Sequence, residues 1–172
     1  MRRAASGPPF VVPAGLTAAA AAGRLAGTAR PLQETRNAVV DASRLKKIPV
    51  FTDLADDEIE AMARLASEVS VPEGKELVRE GDYSYDLLVI EEGTARVERE
   101  GRAIADLGPG DVVGEMGVLA REQRNATVTA TSPMLLVTLD RWDVKKLAKQ
   151  APTAVQHFQE LVEQRRGASA SS

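Results

Sequence analysis

The sequence predicts a mostly β domain with flanking helices: an eight-stranded antiparallel β-roll of jelly-roll type, with one short helix inside it, helices before it and two helices after it. Three observations lead there. Short apolar pieces recur between Val69 and Leu139, punctuated by glycine turns, which is the spacing of antiparallel strands. Apolar residues at helical spacing are confined to the two ends of that region. No strand–helix–strand repeat occurs, which argues against a doubly wound parallel sheet.

Residues 1–40 are expected to form a disordered tail. From Met1 to Gln33 the chain holds Arg2, Arg3, Arg24 and Arg30 but no acid, and Thr17 to Gly23 is almost pure alanine. Such a composition buries too little apolar surface to offset the entropy lost on ordering. The tail faintly imitates a secretory signal or a transit peptide, but Pro13 interrupts its apolar run and no stretch approaches the length of a membrane span.

Order is expected near Asp41, where Leu45, Ile48 and Val50 lead into Phe51 and Leu54 and open a domain over residues 41–166. Asp56, Asp57 and Glu58 favour a helix N-terminus through the macrodipole, and Ile59, Met62, Ala63, Leu65 and Ala66 follow at helical spacing. The eight strands are then read at Val69 and Val71, Leu77 and Val78, Leu87 to Ile90, Ala95 to Val97, Ala103 to Ala105, Val112 and Val113, Ala126 to Thr131, and Met134 to Leu139. Val89, Val97, Ala103 and Ala105 are core or pocket wall, with core the expectation. Asp140 is placed to cap a helix running through Lys149, with Trp142 as a core anchor near its start. Pro152 suits the first turn of a last helix carrying Val155, Phe158, Leu161 and Val162 on one face, and residues 167–172 read as a frayed tail.

Composition removes several classes of chemistry. The 172 residues contain no cysteine and a single histidine, His157, so disulfides, thiolate nucleophiles, iron–sulfur centres and multi-histidine metal sites are all excluded. No metal and no cofactor are expected. A formal charge of −3 offers no basic footprint for nucleic acid, and a cysteine-free chain fits a reducing cytoplasm.

The chemistry concentrates between Gly114 and Thr127. There the chain reads Gly114-Glu115-Met116-Gly117-Val118-Leu119-Ala120-Arg121-Glu122-Gln123-Arg124-Asn125-Ala126-Thr127. A turn of helix opening at Gly114 aims free backbone N–H groups outward, and such an end holds an anion. Arg124 can close over that anion with a charge-assisted hydrogen bond, whereas Glu115 can only accept hydrogen bonds from hydroxyls or amides. Sugar joined to phosphate meets both demands. The backbone N–H groups of Met116, Gly117, Asn125 and Ala126 are further candidates to hold phosphate oxygens. Arg121 is an alternative phosphate ligand on chemistry alone.

At these residues the chain resembles the cyclic-nucleotide-binding domain family, whose phosphate-binding cassette reads Gly-Glu, an apolar pair, a short variable stretch, then Arg-x-Ala-Thr or Ser. Glu80-Gly81-Asp82, Ile90-Glu91-Glu92-Gly93 and Leu107-Gly108-Pro109-Gly110-Asp111 look like that family's successive turns, so the resemblance runs from about Leu45 to Arg166. It implies that Glu115 takes the ribose 2′-hydroxyl and Arg124, rather than Arg121, the cyclic phosphate. Asn125 falls where the resemblance implies base discrimination, and asparagine fits neither the adenine-preferring nor the guanine-preferring pattern. Leu161, Val162, Gln164 and Arg165 are candidates to close over the base.

The expected function is therefore that of a regulatory module that binds cyclic nucleotide, cyclic AMP favoured over cyclic GMP, and relays binding through its C-terminal helices to a protein partner. Neither catalysis nor membrane insertion is expected. Three rival readings are expected to fail or rank lower: a catabolite-activator-like transcription factor, for which no residues beyond Ser172 remain to build a helix-turn-helix; a cupin-type enzyme, whose histidine cluster is lacking; and a degenerate roll serving only as a protein-interaction module.

Overall fold

The computed structural model describes residues 37–83, 86–114 and 122–170. In chain order these carry β1 (Asn37–Val39), α1 (Ala42–Leu45), a 3-10 turn (Pro49–Phe51), α2 (Asp56–Leu65), β2 (Ser67–Val71), β3 (Glu76–Val78), β4 (Asp86–Glu92), β5 (Ala95–Arg99), β6 (Arg102–Leu107), β7 (Val112–Val113), β8 (Thr127–Ala130), β9 (Met134–Asp140), α3 (Arg141–Gln150) and α4 (Pro152–Ala170). The expected roll is there. Strands β2 to β9 fall on the eight apolar pieces read from the sequence, all paired antiparallel, in a five-stranded sheet ordered β1-β2-β9-β4-β7 and a four-stranded sheet ordered β3-β8-β5-β6.

Alternation along the five-stranded sheet divides the interior in two. Leu87 and Val89 of β4 with Val137 and Leu139 of β9 face the helices, where they join Leu45, Phe51, Ile59, Met62, Val144, Leu147 and Phe158. Leu88 and Ile90 with Leu136 and Met134 point the other way, into the roll, and meet Leu77, Val78, Ala95, Val128 and Ala130 of the second sheet. The register agrees, with Leu87 opposite Leu139 and Ile90 opposite Leu136, because a strand's side chains alternate faces with period two.

The N-terminal helices are fixed to this frame by charge and by shape. Arg44 on α1 donates from Nε and Nη2 to the two carboxylate oxygens of Glu91 on β4, at 2.9 and 2.8 Å, and from Nη1 to Glu68 on β2 at 2.8 Å. Those hydrogen bonds, Glu91 first and Glu68 second, push the guanidinium pKa above its already high value. Gly110, at φ +91°, lies so close to the 3-10 turn that a Cβ there would stand 2.9 Å from Cβ of Pro49. Asp140 caps α3 as expected, accepting from the Asp143 N–H at 2.8 Å.

Several expectations are corrected. A ninth strand, β1, precedes the expected start of order and pairs with β2; Asn37-Ala38-Val39 is too short and too weakly apolar to announce itself. Ala103 and Ala105, expected in the core, are exposed, because β6 is the outer strand of the four-stranded sheet, with β5 as its one neighbour among the described strands. Trp142 is 65% exposed rather than a core anchor, with the Lys145 ammonium 4.4 Å from its ring centre; on α3 the buried face belongs to Val144 and Leu147. Helix α4 continues past Gly167 to Ala170, since one glycine costs a helix only about 1 kcal/mol and the Ala-Ser sequence after it tolerates the conformation.

Candidate nucleotide-binding site

The expected site residues divide between described and undescribed positions. Glu115, Met116 and Gly117, together with Arg121 and the short helix expected inside the roll, fall in residues 115–121, outside the described residues. Gly114, Arg124, Asn125 and Ala126 are described, and the structure brings the two ends of the motif together.

Gly114 follows β7 and has φ +92°, a conformation that side chains other than glycine's rarely adopt. A Cβ at this position would collide with the Arg124 guanidinium, standing 2.6 Å from Nη2 and 2.6 Å from the Asp86 carbonyl oxygen. The absent side chain is therefore what lets Arg124 lie against the end of β7. Arg124 is only 6% exposed, and its Nη2 donates to the Asp86 carbonyl at 2.7 Å. Its backbone is held as firmly. The Arg124 N–H donates to the Asp82 carbonyl at 2.9 Å and the Arg124 carbonyl accepts from the Gly81 N–H at 2.8 Å, so the Glu80-Gly81-Asp82 turn is a clamp on the residue that carries the charge.

The neighbours of Arg124 complete the frame. Ala126 is buried, and Thr127 opens β8 with its hydroxyl accepting from the Glu80 N–H at 3.0 Å. Asn125 is exposed and its carbonyl accepts from Nε of Arg99 at 3.0 Å, which pins the loop to β5. A planar, permanently charged guanidinium fork held in a mostly buried position by backbone carbonyl and turn is suited to an oxyanion with two acceptor oxygens. Among the described residues no group of three or more His, Cys, Asp or Glu is placed to hold a metal ion.

Residues 68–151 match the family model described as the cyclic nucleotide-binding domain. The roll belongs to that family. The chain is 31% identical over 136 residues to a putative potassium channel protein of Rhodopseudomonas palustris, covering 77% of this chain and 33% of the channel. It is 29% identical over 126 residues to the cyclic AMP receptor protein of Thermus thermophilus, covering 70% of this chain and 58% of the receptor. The crystal structure of the Thermus thermophilus catabolite activator protein superposes with a TM-score of 0.62 at 30% identity, covering 72% of this chain and 60% of that one. The chain thus spans between a third and somewhat over half of the length of these curated relatives. The cyclic nucleotide-binding domain is a ligand-binding regulatory unit, and no described helix here is long and apolar enough to cross a membrane.

Parts of the frame carried no sequence signal as site elements. The Asp86 carbonyl is a backbone atom that any residue would supply, and its selection by Arg124 depends on the register of β4. The turn at Gly81 was legible as a turn, whereas its grip on Arg124, more than forty residues later, was not. Of the residues expected to close over the base, Leu161 packs partly against the helix-side core and Gln164 is exposed; the side chains of Val162 and Arg165 lie outside the described set.

Proposed function

We propose that this chain is a cyclic nucleotide sensor, with cyclic AMP favoured over cyclic GMP, acting through residues 41–166 and without catalytic activity of its own. The observation that carries the reading is Arg124: a buried guanidinium, fixed at both backbone and side chain, beside a glycine whose missing Cβ makes room for it. In this reading Arg124 takes the cyclic phosphate, Glu115 the ribose 2′-hydroxyl, and the N–H groups of Met116, Gly117, Asn125 and Ala126 the remaining oxygens. Gly114 supplies the turn. The cyclic AMP named in the Thermus thermophilus receptor supports the choice of ligand.

Binding is relayed by the two C-terminal helices to a protein partner. Asp86, whose carbonyl touches Arg124, stands opposite Asp140, which caps α3, so the cradle and the first relay helix share one pair of strands. A ligand moves such helices only through its differential affinity for two arrangements. The chain works in the cytoplasm with neither nucleic acid nor membrane as a direct partner.

Thermal melting with saturating cyclic AMP, cyclic GMP and AMP tests the reading. Cyclic AMP at a hundred times its dissociation constant adds about 2.7 kcal/mol to stability. AMP adds little, its doubly charged open phosphate being the wrong shape for a cradle built around a ring. No shift with either cyclic nucleotide would leave a roll that serves only protein interaction.

A further inference from the structure

The sequence marks Glu58 as one of three acids at the start of α2, where the helix macrodipole favours them. Structure gives it another task. Asp56 and Asp57 are exposed, but Glu58 is only 7% exposed and its Oε1 accepts from the backbone N–H of Thr153, at 2.9 Å, across the helical core. Thr153 is the second residue of α4.

The start of α4 needs that acceptor. The residue before it is Ala151, which has no side-chain oxygen, and the first residue is Pro152, which has no N–H to satisfy. Thr153 thus offers the first donor of the helix, and the acceptor comes from α2 instead of from the local chain. A carboxylate there also complements the positive end of the helix dipole. Around it the hold is apolar: Ala154, Val155 and Phe158 are buried, and the Phe158 ring meets Phe51 edge-on at 6.1 Å between centroids. Glu58 is the polar member of this docking, and a polar contact has a directional, nearly all-or-none geometry that sliding apolar surfaces lack.

We propose that Glu58 is a positioning residue that latches the first turn of α4 to α2, and that releasing this latch is part of what cyclic nucleotide binding must accomplish. The second half rests on the sensor reading given above. The contacts of α4 with Glu58, with Phe51 and with the helix-side core lie on one side of the five-stranded sheet, whereas Arg124 lies where β4 begins and β7 ends; in this proposal α4 closes over the cradle by drawing its first turn away from Glu58. The latch opposes closure, and removing it tightens binding.

Hydrogen exchange and cyclic AMP titration on the full chain, comparing the parent with Glu58→Leu, Glu58→Ala and Glu58→Gln, test both halves. Glu58→Leu and Glu58→Ala are expected to speed exchange at Thr153 and Ala154 about tenfold, with β4 and β9 amides changed less than about twofold. Both are expected to bind cyclic AMP at least about threefold more tightly. Glu58→Gln keeps an acceptor oxygen and should stay within about twofold of the parent on both measures. Unchanged exchange at Thr153 overturns the latch, as does equal acceleration throughout the roll. Faster exchange with unchanged or weaker affinity overturns its coupling to binding. A parent chain that ignores cyclic AMP overturns the sensor reading and the coupling with it, while the exchange comparison still decides whether Glu58 holds α4.

Discussion

Gly114 and Arg124 are packed so closely that the space a Cβ would need at 114 is filled by the guanidinium, and the guanidinium reaches the Asp86 carbonyl across that same space. A glycine just after one strand and an arginine three residues before another thus form a single unit. The glycine supplies the volume, the arginine the charge.

Gly114→Ala should therefore act twice. The new methyl group must displace either the guanidinium or the Asp86 carbonyl, and a φ of +92° strains any residue with a Cβ. A stability loss of about 1 to 3 kcal/mol is expected from the strain, measured by denaturant titration. Cyclic AMP affinity should fall by more than that change accounts for. Unaltered affinity would mean that the position of Arg124 is irrelevant to binding.

Arg124→Ala removes the proposed phosphate partner and should cost roughly 2 to 5 kcal/mol of binding, mostly as faster dissociation in a stopped-flow measurement. Arg124→Lys separates charge from geometry. It keeps the positive charge but loses the planar fork, so it should recover only part of the loss. Full recovery would show that a point charge suffices.

Glu115 can be probed through the ligand. Removing a hydrogen bond between a charged acceptor and a hydroxyl costs about 1.5 to 3 kcal/mol, so Glu115→Ala should bind cyclic AMP more weakly by that amount. The parent should discriminate sharply against 2′-deoxy cyclic AMP, and Glu115→Ala should bind the two ligands alike. Equal binding of both by the parent would remove Glu115 from the ribose.

Deleting Met1 to Arg36 should leave cyclic AMP affinity within about twofold in a calorimetric titration, because the alanine-rich composition of that segment, acid-free as far as Gln33, gives it little with which to bind or brace. The deletion stops short of β1, whose pairing with β2 makes Asn37 to Val39 a poor place to cut. A much larger loss would assign the segment to the site.

What the sequence disclosed and what it withheld differ by the range of the interaction. Strands such as β4 and β9 are legible because alternation and glycine turns are local, and the motif that singles out Arg124, with Ala126-Thr127 two residues on, is local as well. Trp142 departs from its expected burial because burial of an aromatic depends on what packs over it, and α3 turns Val144 and Leu147 inward instead. Ala103 and Ala105 depart from expectation for the same reason, since nothing in the sequence of β6 itself says that it ends a sheet. Glu58 was read correctly as a helix-start acid, yet its partner lies 95 residues away, and only the packing of α2 against α4 makes the two meet. Glu115, Met116 and Gly117 stand where the sequence alone still speaks.

Because β4 gives Leu87 and Val89 to the helices and Leu88 and Ile90 to the roll, the five-stranded sheet is a party wall between two oily rooms. Trimming Val89 and trimming Ile90 would each open a void on a different side of the same strand, and close packing gives that strand little room to yield to one without disturbing the other. Neither room can be emptied while the other stays furnished. Heat or denaturant should therefore take down helices and roll in one cooperative step, and anything that tightens the rim where Arg124 sits lends its stability to helices it never touches.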